Sequence, residues 1–103
     1  MIAHRVFVAD NFFKRLFGLI LKKPLKNGEA LFIRGCKSIH TIGMRYSIDA
    51  VFIDESGKVI SAFKDILPWH FTPYVRGARS VIEFRSGSLK EESLNAGDRI
   101  ILM

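Results

Sequence analysis

Two apolar runs, Tyr46 to Ile53 and Lys58 to Lys64, flank the tetrapeptide Asp54-Glu55-Ser56-Gly57. No other stretch constrains the fold as much. Aspartate favours a turn because its side chain bonds its own backbone, and glycine accepts the positive φ that closes one. With β-branched and aromatic residues on both sides, the pattern dictates a β-hairpin. It also settles Asp54 and Glu55 as turn chemistry rather than a pair of catalytic carboxylates.

The remaining elements follow from the same rules. Ala3 to Val8 alternates as a first strand. Asp10 or Asn11 can cap a helix in which Phe13, Leu16, Phe17 and Ile20 form one apolar stripe, weakened at Gly18 and ended by Pro24. The cations Lys14, Arg15, Lys22 and Lys23 would suit a helix lying on an anionic membrane, but a small domain needs such a stripe for its core. Asn27-Gly28 turns the chain into a short strand, Ala30 to Ile33. Pro68 to Pro73 cannot continue a sheet ladder and is a loop rich in large aromatics. Ala78 to Arg85 reads as another strand. Ser88 to Glu91 fits a capping box opening a short helix that Gly97 stops, and Arg99 to Met103 supplies a last strand.

These elements predict one domain over residues 1–103, of α+β class: a mainly antiparallel sheet, strongly bent or closed into a small barrel, with two short helices. At 103 residues the chain holds one core, and its 49% hydrophobic content excludes disorder. No apolar run approaches the roughly 20 residues of a spanning helix. The start lacks the basic and apolar regions of a signal peptide, which points to the cytoplasm. One cysteine forms no internal disulfide. The formal charge of +6 is scattered without a basic run, so nucleic-acid binding is not the favoured reading. Edge strands and nine Phe leave a monomer or a weak homodimer open.

The chemistry concentrates between Cys36 and Asp49. Cys36, His40 and Met44 recur at four-residue spacing, the donor order of a blue-copper loop, with His4 or His70 as a further ligand. The fold order does not match that class. Cys36 and His40 also make a nucleophile and base with Asp49 or Asp65 as orienter, although nothing in the sequence supplies an oxyanion hole. Asp49 lies inside an apolar strand and must be paired, with Arg45, Arg34 or Arg79 as candidates. Glu83 raises the same question unless alternation puts it in water.

Taken with Gly18-Leu19, Leu31-Phe32, Ser38-Ile39-His40-Thr41, Met44, Ile48-Asp49, Phe52-Ile53-Asp54, Gly57-Lys58-Val59, Pro68, Gly77-Ala78, Glu83, Gly87 and Gly97-Asp98, the chain resembles the domain-of-unknown-function 192 family, also called uncharacterised protein family 0127. The resemblance spans nearly the whole chain. It implies a compact, mainly β fold with short helices in small prokaryotic proteins, some exported and some not, and no established activity. Ser47 departs from it where members often carry proline.

The resulting expectation is a non-enzymatic module that binds a small ligand or a protein, without metal or cofactor, through the loop from Cys36 to Asp49 and the Trp69 loop. His40 and Thr41 are its polar contacts, Arg45 its anion partner, Asp49 the group that fixes Arg45, and Met44 with Trp69 its apolar walls. A Cys36- and His40-centred enzyme or copper protein is the alternative, and a basic nucleic-acid module the third.

Overall fold

The structure is a computed structural model that describes residues 5–9, 26, 28–91 and 97, with the backbone alone for 5–9, 90 and 91. Five strands form one sheet: β1 (Arg5–Ala9), β2 (Glu29–Arg34), β3 (Ile48–Ile53), β4 (Val59–Ile66) and β5 (Ser80–Arg85), followed by the helical turn α1 (Ser88–Glu91). Their spatial order is β1-β2-β5-β3-β4. β1 runs parallel to β2, and every other neighbouring pair is antiparallel.

The hairpin is β3 and β4, as the turn chemistry requires. Asp54 Oδ1 accepts the N–H groups of Ser56 at 2.8 Å and Lys58 at 2.9 Å. Those donors and the Ser56 hydroxyl hold the Asp54 carboxyl below its ordinary pKa. β3 and β5 carry near-continuous apolar sequence because both occupy the middle of the sheet with both faces covered. One face packs Leu31, Ile48, Ala50, Phe52 and Val81 with the loop residues Cys36, Met44, Val75 and Ala78. The other packs Val51, Ile53, Val59, Ile82, Phe84 and Leu89.

The expected α+β class, with two helices on a bent sheet or barrel, is corrected here. The described residues are almost all sheet, and their one helical segment, Ser88–Glu91, is a single turn. Among the described residues the sheet is open: β1 and β4 occupy opposite edges and do not close a barrel. The helix expected from Asp10 to Pro24 lies outside the described residues, as does the strand expected from Arg99 to Met103. The Glu91 side chain, half of the expected capping box, lies outside the described residues, and Ser88 is engaged elsewhere. Its hydroxyl donates back to the Arg85 carbonyl at 2.7 Å, and Asp49 takes the Leu89 N–H instead.

Candidate functional site

Two loops leave the sheet, residues 35–47 between β2 and β3 and residues 67–79 between β4 and β5, and they pair along their length. The N–H of Gly35 donates to the Arg79 carbonyl (2.6 Å), Val75 to Lys37 (2.7 Å), Thr72 to Ile39 (2.9 Å) and Trp69 to Thr41 (2.9 Å). His40 and Phe71 form an antiparallel bridge within this ribbon. The loops therefore meet, which sequence spacing alone does not reveal.

Two threonines fasten the ribbon from beneath. Thr41 is fully buried; its hydroxyl donates to the Leu67 carbonyl at 2.6 Å and accepts the His70 N–H at 2.9 Å. Thr72 accepts the Ile39 N–H at 2.9 Å through its hydroxyl. Alternation along an extended segment then turns the neighbours of these threonines outward. His40 is exposed, its ring centroid 6.3 Å from that of Phe71, and its Nδ1 accepts the Ile42 N–H at 3.3 Å.

The loops also carry exposed apolar side chains. Ile42, Leu67, Trp69, Phe71 and Tyr74 are exposed, Trp69 by 66% and Phe71 by 71%, and they are all the exposed large hydrophobic side chains among the described residues. Trp69 sits at φ 64°, a left-handed conformation that a bulky residue occupies at a cost on the order of 1 kcal/mol. Its N–H bond to Thr41 helps hold it there.

The other expected site residues divide differently. Cys36 and Met44 are buried core members, and the Cys36 thiol donates to the Ser38 carbonyl at 3.0 Å. Met44 is thus no wall of an open site, and Cys36, His40 and Met44 do not share one surface. Among the described residues no three His, Cys, Asp or Glu side chains group to hold a metal. Arg45 is exposed. Asp49, expected to fix Arg45, is fully buried and met by backbone: its oxygens accept the N–H groups of Asp65 (2.8 Å), Gly87 (3.1 Å) and Leu89 (3.0 Å).

Arg34 and Arg79 flank a groove of about 380 Å³ at the hairpin end of the sheet, with Asp54 and Glu55 opposite. Its two cations and two carboxylates balance, so it favours neither sign of ligand. Glu83 is the residue whose setting the sequence hid. It is buried on β5, its Oε2 has no hydrogen-bond partner, and burial pushes its carboxyl up to about 8. Burial and then the Glu83 charge raise the Tyr46 hydroxyl. The available signal was its position between Ile82 and Phe84, in a strand with no solvent face.

The model of the family described as uncharacterised ACR proteins, domain-of-unknown-function 192, matches residues 2–102. The chain belongs to that family. A member of uncharacterised protein family 0127 from Thermococcus sibiricus is 39% identical over 101 residues, covering 93% of this chain and 64% of its own length. The chain thus spans just under two thirds of that relative. Two solved structures share the fold. One, a protein of unknown function from Novosphingobium aromaticivorans, aligns with a TM-score of 0.79 at 15% identity, covering 91% of this chain and 71% of that one. The other, a provisionally assigned transcription regulator from Sinorhizobium meliloti, gives 0.80 at 19% identity, covering 91% and 78%. At such identities the likeness speaks of architecture alone. Among the described residues no helix is long and apolar enough to cross a membrane.

Proposed function

We propose that this domain is a binding module without catalytic chemistry of its own, and that it engages its partner through the outer face of the paired loops. The observation that supports this is that Ile42, Leu67, Trp69, Phe71 and Tyr74, all the exposed large hydrophobic side chains among the described residues, lie on these two loops. Exposed apolar surface concentrated in this way marks interaction sites. A backbone laced by buried threonine hydroxyls gives the face the rigidity that recognition needs. Of the expected contacts, His40, Arg45 and Trp69 remain in the proposed surface. Thr41, Met44, Cys36 and Asp49 support it from within.

The test is site-specific photo-crosslinking in the producing cell. A crosslinking phenylalanine analogue at Phe71 should capture a partner, whether protein, lipid or nucleic acid, far more efficiently than the same analogue at exposed Glu55 on the hairpin turn. Equal, background-level capture at both positions would remove the proposal.

A further inference from the structure

The two loops carry an unusual selection of polar residues. Residues 35–47 and 67–79 contain Lys37, Arg45, Arg76 and Arg79 and no Asp, Glu, Asn or Gln, in a chain with ten acidic residues. All four cations are exposed. A partner fitted to this face is therefore anionic.

The arrangement along the ribbon narrows the partner further. Its rungs run from Gly35–Arg79 through Lys37–Val75 and Ile39–Thr72 to Thr41–Trp69. Lys37, Arg76 and Arg79 belong to the first end, and Ile42, Leu67 and Trp69 to the other, with Arg45 three residues beyond Ile42. Between them lie the rings of Tyr74, with the Lys37 ammonium 5.7 Å from its centroid, and of Phe71 beside His40. Three of the four cations thus stand apart from the aliphatic end, with the rings between them. A bilayer surface has the same layering of acyl chains, headgroup boundary and anionic charge. Single-stranded nucleic acid would use the rings for stacking but leave the aliphatic Ile42 and Leu67 without a role.

Resting on the binding reading above, we infer that the ribbon docks on anionic lipid surfaces, with Ile42, Leu67 and Trp69 entering the headgroup boundary and Lys37 and Arg76 lying against lipid phosphates. The chain's single tryptophan is Trp69, so its emission reports the event directly.

The experiment titrates the purified protein with phosphatidylcholine vesicles, with vesicles also containing phosphatidylglycerol, and with oligodeoxythymidylate. A blue shift and intensity gain with the anionic vesicles is expected, weakening as salt rises. Partitioning should fall roughly fivefold for each of Lys37→Gln and Arg76→Gln. Leu67→Ser with Phe71→Ser should remove the shift while leaving the circular dichroism spectrum unchanged. An unchanged emission, or an equal response to neutral vesicles, overturns the inference. A response to the oligonucleotide without one to vesicles overturns it in favour of nucleic acid. If vesicles fail while the Phe71 crosslinker captures a protein, the lipid surface falls and the binding reading stands.

Discussion

The Asp49 carboxylate accepts the backbone N–H of Asp65 at 2.8 Å, and this bond crosses a break in the β3–β4 ladder. Ile48 pairs with Ile66 but Ala50 with Phe63, so β4 carries one extra residue there, and Asp65 takes φ 53°. Asp65 in turn accepts the Ser86 hydroxyl. With Gly87 and Leu89 also donating to Asp49, one buried side chain fastens a bulge, a turn and the start of α1.

Asp49→Ala should therefore destabilise the fold by about 3 kcal/mol or more, since several buried N–H groups lose their acceptor. Asp49→Asn keeps one acceptor oxygen but brings an NH₂ against N–H donors, and should recover little. Urea unfolding followed by circular dichroism measures both. A loss below about 1 kcal/mol in Asp49→Ala would show that the carboxylate is not the staple described here.

Thr41→Val keeps the shape and removes the hydroxyl that bridges Leu67 and His70. A cost of about 1–3 kcal/mol is expected, with Thr41→Ser restoring most of it. Local effects should exceed the global one. Amide exchange of Trp69 and His70 should accelerate in Thr41→Val more than that of β3. Uniform acceleration would deny the hydroxyl its role in the ribbon.

Glu83 makes stability depend on pH. Its carboxyl is raised from 4.5 to about 8, so the folded protein holds this proton more tightly than the unfolded chain does. Stability from this group is complete below pH 4.5, falls as pH rises by up to about 1.4 kcal/mol per unit, and levels off above about 8. Glu83→Gln should flatten that slope, and the thermal midpoint of the two proteins between pH 5 and 9 decides it. Parallel profiles would place the titration elsewhere.

The exposed rings should matter little to folding. Phe71→Ser and Trp69→Ser are expected to change stability by less than about 0.5 kcal/mol, whereas Phe52→Ala, fully buried beside Phe63, should cost about 3–5 kcal/mol. Denaturant midpoints measure the contrast. A large cost at Phe71 would make the aromatic face structural.

Much of this architecture was legible from local pattern. The hairpin about Asp54 to Gly57 follows from turn chemistry and strand periodicity, although β3 begins at Ile48 rather than Tyr46 and β4 runs on to Ile66. The requirement that Asp49 be paired follows from the cost of a buried carboxylate. Its partners did not, because backbone N–H groups have no letter in the sequence and arginines do. Pairing of the two loops was hidden for the same reason: its rungs are main-chain bonds between residues 28 to 44 positions apart. Glu83 misled because alternation predicts a wet face only for a strand that has one, and its place in the sheet is a matter of topology.

That topology sets the order in which the protein can be completed. β5 is the last of the five strands in the chain, yet it lies between β2 and β3. During synthesis the β3–β4 hairpin can close on itself and β1 can pair with β2, while the inner edges of β2 and β3 must wait for residues 80–85 to emerge. Until then two of the most apolar strands present bare hydrogen-bonding edges, the condition under which nascent chains join one another instead of folding. The centre of this sheet is its final act of assembly, and a chain interrupted before Ser80 has no substitute for it.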